Sequence, residues 1–388
     1  MNDMLNHAYR HGYAVGAFDL VGLDFLEGIL AAAENCRAPV ILSLAESHFG
    51  HYDFDLLMAA SVAAAQRTPV PVAIHLDHGA SLETAVGAIR AGCNGVMVDA
   101  SALPLDENLK RTREVVAMAH ACGVAVEGEL GYVPGVEGDD AERHPGEIAY
   151  TLPAEAKGFV ERSGVDCLAV SVGTVHGRMK GTPRLDFARL GKINEAVGIP
   201  LVIHGGTGLS NDQFRKLIAN GVAKINYYTA LADAAAASIR EQARHHRDGG
   251  YTRLTAGVRD AVRGEAERMI RLWGSGGRAA EVLAQCRPWR EVKHVVLYNV
   301  DRRLDKAADT ALVEQGMKTL ASIPGVRSVA HGTVAREDAP YRHCWLIRFA
   351  SDAVIASYRD HPEHVRYADK VFRPAAPDRL TIDYEIDV

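Results

Sequence analysis

Short apolar segments alternate with alanine-rich amphipathic segments as far as Thr229, and this alternation narrows the choice of fold more than any other feature. Eight apolar segments have the length and composition of strands, at 14–18, 40–44, 72–76, 95–98, 124–129, 167–172, 201–204 and 223–226. Helical periodicity lies between them, at 23–36, 55–66, 82–91, 108–121, 153–163, 187–196 and 211–220. Strict alternation of eight strands with helices predicts a (β/α)8 TIM barrel. A doubly wound open sheet is the alternative, disfavoured because no Gly-x-Gly-x-x-Gly follows the first strand.

The pattern changes beyond a glycine-rich break at Ser275. Strand-like segments at 292–300, 326–333, 345–349 and 380–386 are interspersed with helical segments at 305–322, 352–359 and 362–371. This β-α-β-β-α-β order is typical of a small α+β ferredoxin-like domain. We therefore expect a barrel at 1–275, a linker at 276–291 and the ferredoxin-like domain at 292–388.

Composition and charge exclude several classes of partner. The 388 residues carry a formal net charge of −6, and no basic stripe suits nucleic acid. No apolar run is long enough to span a bilayer, and the N-terminal segment does not have the pattern of a signal peptide. The six cysteines are scattered without a Cys-x-x-Cys pair. We expect a cytoplasmic protein that binds neither nucleic acid nor membrane.

Three histidines follow three different predicted strands: His78 the third, His176 the sixth and His204 the seventh. Asp99 and Glu129 end the fourth and fifth strands. Because the carboxyl ends of barrel strands meet at one mouth, we expect these side chains to converge. Three imidazoles suit Zn²⁺ or a similar divalent ion and leave a coordination position open for substrate. Three unrelated loop histidines are the alternative, but this leaves unexplained why each follows its own strand.

The third predicted strand ends in the ionisable stretch His75-Leu76-Asp77-His78-Gly79. Alternation along a strand places His75 and Asp77 on one side and His78 on the other. We expect the backbone to turn at His78, so that Asp77 and His78 face a common cavity. A strand end with surface histidines is the alternative.

Two loops at the end of the barrel carry groups that bind phosphate. His204-Gly205-Gly206-Thr207-Gly208 follows the seventh strand, and Asn226-Tyr227-Tyr228-Thr229 follows the eighth. In such barrels these two loops commonly bind phosphate through backbone N–H groups and hydroxyls. The sequence therefore predicts a phosphate site beside the histidines.

Six motifs, in order along the barrel, carry a resemblance to a known family. They are Ala-Ile-His75-Leu-Asp77-His78, Val-Met-Val-Asp99, Glu127-Gly-Glu129, Gly173-Thr-Val-His176-Gly177, His204-Gly-Gly-Thr-Gly208 and Lys224-Ile-Asn226. On these motifs the chain from about Met4 to Arg271 resembles the class II, metal-dependent ketose-bisphosphate aldolases, which act on fructose or tagatose bisphosphate.

The resemblance implies a role for each residue of the constellation. His78, His176 and His204 would hold a catalytic Zn²⁺ or another divalent metal, with a monovalent cation as a further cofactor. The metal would stabilise the enediolate during cleavage or formation of a ketose phosphate, a small-molecule sugar phosphate. Asp77 would shuttle the proton at the C4 oxygen. Asp99 and Glu129 would support the ligands or bind the metal in a more buried position.

The resemblance also implies a second proton-transfer residue on a lid after the fifth strand. Glu137 stands at the matching offset from Glu129, with Asp139 and Glu142 in reserve. The phosphate contacts implied by the resemblance are Gly177, Lys180, Gly205, Thr207, Asn226 and Thr229.

Four residues are candidates for substrate specificity: Asp19, Ser47, Tyr227 and Tyr228. Asp19 stands where the family carries Asn, and a carboxylate facing the pocket would repel a second phosphate. Tyr227 and Tyr228 replace small or acidic residues and would fill space near the substrate. We therefore expect dihydroxyacetone phosphate as donor, with an aldehyde other than or besides glyceraldehyde 3-phosphate. The alternatives are a metal-dependent lyase or isomerase on a non-phosphorylated ketose, and a non-catalytic sugar-phosphate-binding barrel.

The segment from about His294 resembles the stress-responsive α/β barrel (Dabb) domain. The matching residues are His294-Val-Val-Leu-Tyr, Ile323-Pro-Gly-Val and Tyr358-Arg-Asp-His361-Pro-Glu-His364. Such domains pair through their sheets, which implies a homodimer, and contacts between barrel helices would make a homotetramer. Helix packing is the expected role of His361 and His364, and a separate site is the alternative.

Overall fold

The structure is a computed structural model that describes residues 1–140, 148–178, 183–336 and 338–385, with only the backbone of 136–138 and 140. It divides the chain into two compact units. The first comprises Met1–Ala85, Cys93–Val116 and Ala125–Arg287, and the second comprises Val86–Gly92, Ala117–Val124 and Pro288–Val388. In the described part of the chain, no helix is both long and apolar enough to cross a membrane.

The first unit is built on a closed barrel of parallel strands. The strands of this unit, inside and outside the barrel, are β1 (Val15–Asp19), β2 (Val40–Ala45), β3 (Val72–Gly79), β4 (Gly95–Val98), β5 (Ala125–Leu130), β6 (Gly135–Asp140), β7 (Cys167–Val170), β8 (His176–Arg178), β9 (Leu201–Ile203) and β10 (Val222–Tyr227). The barrel closes in the order β1-β10-β9-β7-β5-β4-β3-β2, which confirms the predicted TIM barrel. β6 and β8 form a separate two-stranded sheet that the sequence pattern did not predict.

The helices of this unit follow the strands of the barrel, except for α1, which precedes β1. They are α1 (Asn2–His11), α2 (Leu23–Cys36), α3 (Phe54–Arg67), α4 (Leu82–Ala91), α5 (Leu105–Ala121), α6 (Pro153–Ser163), α7 (Phe187–Val197), α8 (Asn211–Ala219), α9 (Thr229–His245), α10 (Tyr251–Thr255), α11 (Val258–Leu272) and α12 (Ala279–Gln285). A one-turn 3₁₀-helix, Glu46–His48, follows β2. Neither α1 nor α10 is predicted by the sequence pattern.

The floor of the barrel is apolar and sealed. Small buried side chains from the strands, such as Ala17, Ala73 and Ala169, form one cluster with Met4 and Leu5 of α1. Helix α1 therefore packs against the interior from the amino ends of the strands. The histidine residues singled out in the sequence lie at the opposite, carboxyl end, where (β/α)8 proteins place their chemistry.

The second unit contains an antiparallel sheet with helices. After β11 (Val292–Asn299) come α13 (Lys306–Ala321), β12 (Val326–Thr333), β13 (His343–Phe349), α14 (Ala353–Asp360), α15 (Pro362–Tyr367), a π-helical turn (Ala368–Phe372), α16 (Arg373–Ala375) and β14 (Asp378–Glu385). The sheet order is β12-β13-β11-β14. This arrangement confirms the predicted α+β domain.

Candidate active site

Three histidine rings meet at the carboxyl end of the barrel. His78 lies at the end of β3, His176 opens β8, and His204 follows β9. The ring centroids are 5.1 Å apart for His78 and His176, 4.6 Å for His78 and His204, and 5.7 Å for His176 and His204. Each ring offers one nitrogen to a group whose atoms all lie within 4.8 Å of one another. The structure thus brings together the three histidines that the sequence singled out.

In each of the three rings, the nitrogen that does not face the other two histidines lies within hydrogen-bond distance of an oxygen acceptor. Nδ1 of His78 lies 2.9 Å from Oδ2 of Asp99, Nδ1 of His176 lies 3.1 Å from the carbonyl oxygen of Val133, and Nε2 of His204 lies 2.9 Å from Oε1 of Glu127. Acceptors placed in this way orient metal-binding imidazoles and select their tautomers.

The inner nitrogens face one another. Nε2 of His78 and Nδ1 of His204 are 2.8 Å apart. Nε2 of His176 is buried and has no hydrogen-bond partner among the described residues. A buried nitrogen without a partner is costly, and a divalent cation bound by all three rings would remove that cost. The donor set therefore fits a Zn²⁺-type ion.

The electrostatics of the cluster favour a cation. Burial lowers the pKa of His176 to about 3, with His78 and His204 acting in the same direction, so its imidazole is neutral at physiological pH. Burial also disfavours the charged form of His78, but Asp77 and the bond to Asp99 raise its pKa well above the usual value. The carboxylates therefore stabilise a positive charge at the centre of the cluster, whether a proton or a metal ion carries it.

The backbone at His78 explains how neighbouring residues share this cavity. Among the described non-glycine residues, only Arg37 and His78 have positive φ, and the value at His78 is 46°. Strand alternation would turn His78 away from Asp77, and the left-handed conformation cancels that alternation. The predicted turn therefore occurs at the residue itself, although β3 extends to Gly79.

A buried polar chain runs from the histidines into the barrel. Nζ of Lys224 lies 2.7 Å from Oε2 of Glu127 and donates to Oδ1 of Asn226 over 2.6 Å. The Asn226 amide donates to both carboxylate oxygens of Asp77 over 3.0 Å. Burial alone would raise the pKa of Asp77, but His78, His204 and Lys224 lower it to about 2, so this group is a carboxylate at neutral pH.

Glu127 and Lys224 are functional candidates that the sequence analysis quoted in motifs without giving them a role. Both side chains are fully buried. Burial would raise the pKa of Glu127, but Lys224 and the bonds from His204 and His75 hold it well below its usual range. Their place in the site could have been predicted from the sequence, because residues two apart on a strand share a face. Glu127 shares a face with Glu129, and Lys224 shares one with Asn226.

Asp99 and Glu129 lie beside His78 in a second group with metal-ligand spacing. Oδ1 of Asp99 accepts a hydrogen bond from the backbone of Ser101 over 2.9 Å. Oε2 of Glu129 is buried without a hydrogen-bond partner among the described residues and lies 3.9 Å from Nδ1 of His204. Burial, reinforced by Asp99, raises the pKa of Glu129 to about 7. Both carboxyl groups therefore sit where the sequence analysis expected support for the ligands.

The predicted phosphate loops adjoin the first turn of α9. Oγ1 of Thr207 accepts a hydrogen bond from the backbone of Ala230 over 3.3 Å, and Thr229 is buried at the first position of α9. Gly205 has φ 71°, and a Cβ there would lie 2.1 Å from the carbonyl oxygen of Val175. Backbone N–H groups at a helix start suit an anion. Gly177, with φ 81°, follows His176 in β8.

Asn226, one of the residues expected to bind phosphate, has a different role in this structure. Both ends of the Asn226 side chain are engaged, one with Lys224 and the other with Asp77, so in this structure it orients Asp77. Lys180 lies outside the described residues.

The proposed lid is partly described. β6 pairs with β8 so that Gly135 stands opposite His176, and the backbone of His176 donates to the carbonyl oxygen of Pro134 over 2.7 Å. Glu137 belongs to β6, but its side chain and all of Glu142 lie outside the described residues. Asp139 is half-buried.

The four specificity candidates separate into different environments. Asp19 is buried at the end of β1, where its Cα pairs with that of Ser43 on β2. Ser47 is exposed on the 3₁₀ turn. Tyr228 packs against the ring of His48 at 4.4 Å. His48, buried and not singled out by the sequence analysis, thus joins this side of the mouth.

Tyr227 does not occupy the position near the substrate that was expected from the sequence. Its hydroxyl donates to Oε1 of Glu265 over 2.7 Å, and its ring packs edge-on against Trp273 at 5.5 Å. Since Lys224 and Asn226 face the interior, the alternation of β10 directs Tyr227 to the outer face, against α11. It therefore does not fill space among the site residues.

Comparisons with known proteins point to one family for the barrel and another for the C-terminal segment. The family model described as fructose-bisphosphate aldolase class-II matches residues 1–278. The model described as stress responsive A/B barrel domain matches residues 292–386.

Individual relatives cover the same part of the chain. The fructose-bisphosphate aldolase of Geobacillus stearothermophilus is 42% identical over 285 residues, which are 72% of this chain and 98% of the relative. The probable fructose-bisphosphate aldolase of Bacillus subtilis is 41% identical over 283 residues, again 72% and 98%. Among solved structures, the YdjI aldolase of Escherichia coli K12 superposes with a TM-score of 0.63 at 35% identity, covering 72% of this chain and 98% of that one. A putative fructose-1,6-bisphosphate aldolase of Coccidioides immitis gives 0.66 at 34% identity, covering 72% and 97%.

Proposed function

Because the chain belongs to the class II fructose-bisphosphate aldolase family and carries a C-terminal stress-responsive A/B barrel domain, we propose that it cleaves and forms a ketose phosphate with dihydroxyacetone phosphate as the donor. The chain is an aldolase, a carbon–carbon lyase of a family that is generally metal-dependent. The observation that carries the proposal is the convergence of His78, His176 and His204 with their inner nitrogens facing one another.

The three histidines would hold a divalent metal, with Zn²⁺ the best match to the donor set. When bound, the metal supplies Lewis-acid stabilisation of the negative charge that develops on the substrate oxygens. Asp77, ionised and held by the Asn226 amide, accepts the C4 hydroxyl proton during cleavage and returns it during synthesis. Glu137 exchanges the proton at C3, a role supported by its place in the strand that pairs beside His176.

The phosphate group of the donor would bind between the Gly205 loop and the first turn of α9. The left-handed Gly205, the Thr207 hydroxyl and Thr229 support this assignment, because oriented N–H groups and hydroxyls stabilise an anion without a full opposing charge. Gly177 and Lys180 would complete the contacts.

The acceptor would be an aldehyde other than, or besides, glyceraldehyde 3-phosphate. The support is Asp19, a buried carboxylate at a strand end of the same mouth, which raises the cost of placing a second phosphate nearby. Tyr228 and His48 form an aromatic wall on that side. Such a wall suits an acceptor with fewer charges.

Exchange of the C3 proton of dihydroxyacetone phosphate in deuterated water tests the donor and the mechanism without knowledge of the aldehyde. We expect the metal-loaded protein to catalyse exchange, chelation to abolish it, and Glu137→Ala to reduce it by about 10²–10⁴-fold, the usual contribution of a general acid–base group. Glu155→Ala, at an exposed glutamate in the first turn of α6, is the matched control and should retain exchange. Absence of exchange in the metal-loaded wild type would exclude dihydroxyacetone phosphate as the donor.

A further inference from the structure

The turn after β2 carries polar side chains to which the proposed mechanism gives no role. This turn, Glu46–His48, begins directly after Ala45, whose Cα pairs with that of Asp77 on β3. The carboxylate of Glu46 holds the turn in place, because it accepts a hydrogen bond from the backbone of Ala80, just beyond β3, over 2.6 Å. The turn therefore has a fixed position beside the strand that carries Asp77.

The contact between His48 and Tyr228 crosses the carboxyl end of β1. In the barrel, β1 lies between β10 and β2. Tyr228 follows β10 and His48 lies beyond β2, yet their rings are only 4.4 Å apart. Asp19 is the last residue of β1, so it lies at the strand end between them. Phe25 of α2 adds a third ring, 6.3 Å from that of Tyr228. These side chains therefore surround one side of the barrel mouth.

Two buried polar atoms in this segment have no hydrogen-bond partner among the described residues. They are Nδ1 of His48 and the hydroxyl oxygen of Tyr52. Burial, reinforced by Asp19, raises the pKa of the Tyr52 phenol, so this group is protonated at neutral pH and can donate. Buried polar atoms in native proteins almost always have a partner. Two such atoms in one segment of the mouth therefore indicate that a ligand or water binds there.

The chemistry of these two groups matches a neutral hydroxyl. Burial lowers the pKa of His48, although Asp77 acts in the opposite direction, so the imidazole is neutral at physiological pH. A neutral imidazole has one donor and one acceptor nitrogen, and a phenol both donates and accepts. A hydroxyl group offers the same combination. A phosphate or carboxylate only accepts, and it would be repelled by the ionised carboxylate of Asp77.

We propose that His48 and Tyr52 bind hydroxyl groups of the acceptor, and that the preferred acceptor is therefore an unphosphorylated polyhydroxy aldehyde, such as glyceraldehyde or a tetrose. This inference rests on the proposed aldolase function and names the class of its second substrate. The aldehyde carbonyl faces Asp77, and the neighbouring hydroxyl meets the segment after β2. An aldehyde without hydroxyl groups leaves both buried atoms unpaired, so the site discriminates against it.

Condensation of dihydroxyacetone phosphate with glyceraldehyde or with propanal tests the proposal. We expect the wild type to prefer glyceraldehyde. His48→Phe, and Tyr52→Phe with its loss of a single oxygen, should each lower the ratio of kcat/KM for glyceraldehyde over propanal by about tenfold, the effect of one lost hydrogen bond at a buried group. His48→Gln keeps a hydrogen-bonding side chain and should retain most of the ratio. His51→Phe, at an exposed histidine three residues further on, is the matched control and should leave the ratio unchanged.

The donor half-reaction separates this proposal from the one on which it rests. Exchange of the C3 proton of dihydroxyacetone phosphate needs no aldehyde, and we expect His48→Phe and Tyr52→Phe to exchange at the wild-type rate. An unchanged ratio in His48→Phe, with exchange intact, would overturn the proposal and leave the donor assignment standing. An equal loss for glyceraldehyde and propanal would also overturn it, because it would show a structural role. Absence of exchange in the metal-loaded wild type would overturn both proposals.

Discussion

Glu127 connects the histidine cluster to the only lysine among the described buried side chains of the barrel. It accepts from His204 over 2.9 Å and lies 2.7 Å from Nζ of Lys224. A buried carboxylate without such partners would cost several kcal/mol. At the scale of single residues, the lysine therefore stabilises the carboxylate, and the carboxylate fixes the tautomer of the histidine.

Glu127→Gln should weaken metal binding by about 10–100-fold, the usual effect of losing the acceptor that orients a ligand imidazole. Competition with a chromophoric chelator measures this affinity. Glu265→Gln is the matched control, because Glu265 accepts from Tyr227 on the outer face of β10 and should leave metal affinity unchanged. Equal affinities for Glu127→Gln and the wild type would show that Glu127 does not support His204.

Asp19→Asn should shift acceptor preference towards phosphorylated aldehydes. The substitution replaces an ionisable carboxyl group by a neutral amide of the same size, and we expect the ratio of kcat/KM for glyceraldehyde 3-phosphate over glyceraldehyde to rise by about tenfold, equivalent to about 1.4 kcal/mol. Asp55→Asn, which removes an exposed carboxylate in the first turn of α3, is the matched control and should leave the ratio unchanged. A ratio that does not rise in Asp19→Asn would place Asp19 outside the acceptor pocket.

At the scale of elements, topology explains why much of the site could be predicted. A histidine after a barrel strand must lie at the carboxyl mouth whatever the details of packing, so His78, His176 and His204 were recognisable from strand order alone. The strands and most helices were predictable because their apolar periodicity is local.

Features that depend on contacts between distant segments could not be predicted in this way. The pairing of β6 with β8 rests on bonds between loops, such as the one from His176 to Pro134, and neither segment has strand periodicity. The outward direction of Tyr227 depends on where β10 ends, which the sequence does not determine to within one residue. The partners of Glu127 come from three strands, so its role follows from barrel closure.

The loop after β9 contains two left-handed glycines, Gly205 and Gly208, that differ in how much space surrounds them. Gly205→Ala would place a methyl group 2.1 Å from a carbonyl oxygen in a left-handed conformation, and we expect a loss of about 3 kcal/mol in unfolding free energy together with weaker metal binding. Gly208→Ala, in the same loop with φ 88° but open space around it, should cost only about 1 kcal/mol. Urea unfolding of both variants measures the difference, and equal losses would contradict the steric argument.

At the scale of the whole molecule, one face of the C-terminal sheet remains apolar and exposed. Leu346, Leu380 and Tyr384 lie on the same face, with 37%, 43% and 45% of their surfaces exposed. Exposed apolar patches of this kind mark protein interfaces. We expect this face to join two copies of the chain.

Leu346→Glu should therefore dissociate the assembly. Light scattering should give a multiple of the 41.9 kDa chain for the wild type and a value near 41.9 kDa for the variant. Leu283→Glu, at an exposed leucine of α12, should keep the wild-type mass. An unchanged mass for Leu346→Glu would exclude this face as the interface.

The left-handed backbone at His78 has a consequence for engineering. For a residue with a Cβ this conformation costs about 1–2 kcal/mol, whereas glycine adopts it without that steric cost. A stability screen without a functional readout would therefore select glycine at this position, and the selected protein would be more robust and would lack one of the three imidazoles. At this position the chain therefore retains a less stable backbone conformation together with an imidazole of the histidine cluster.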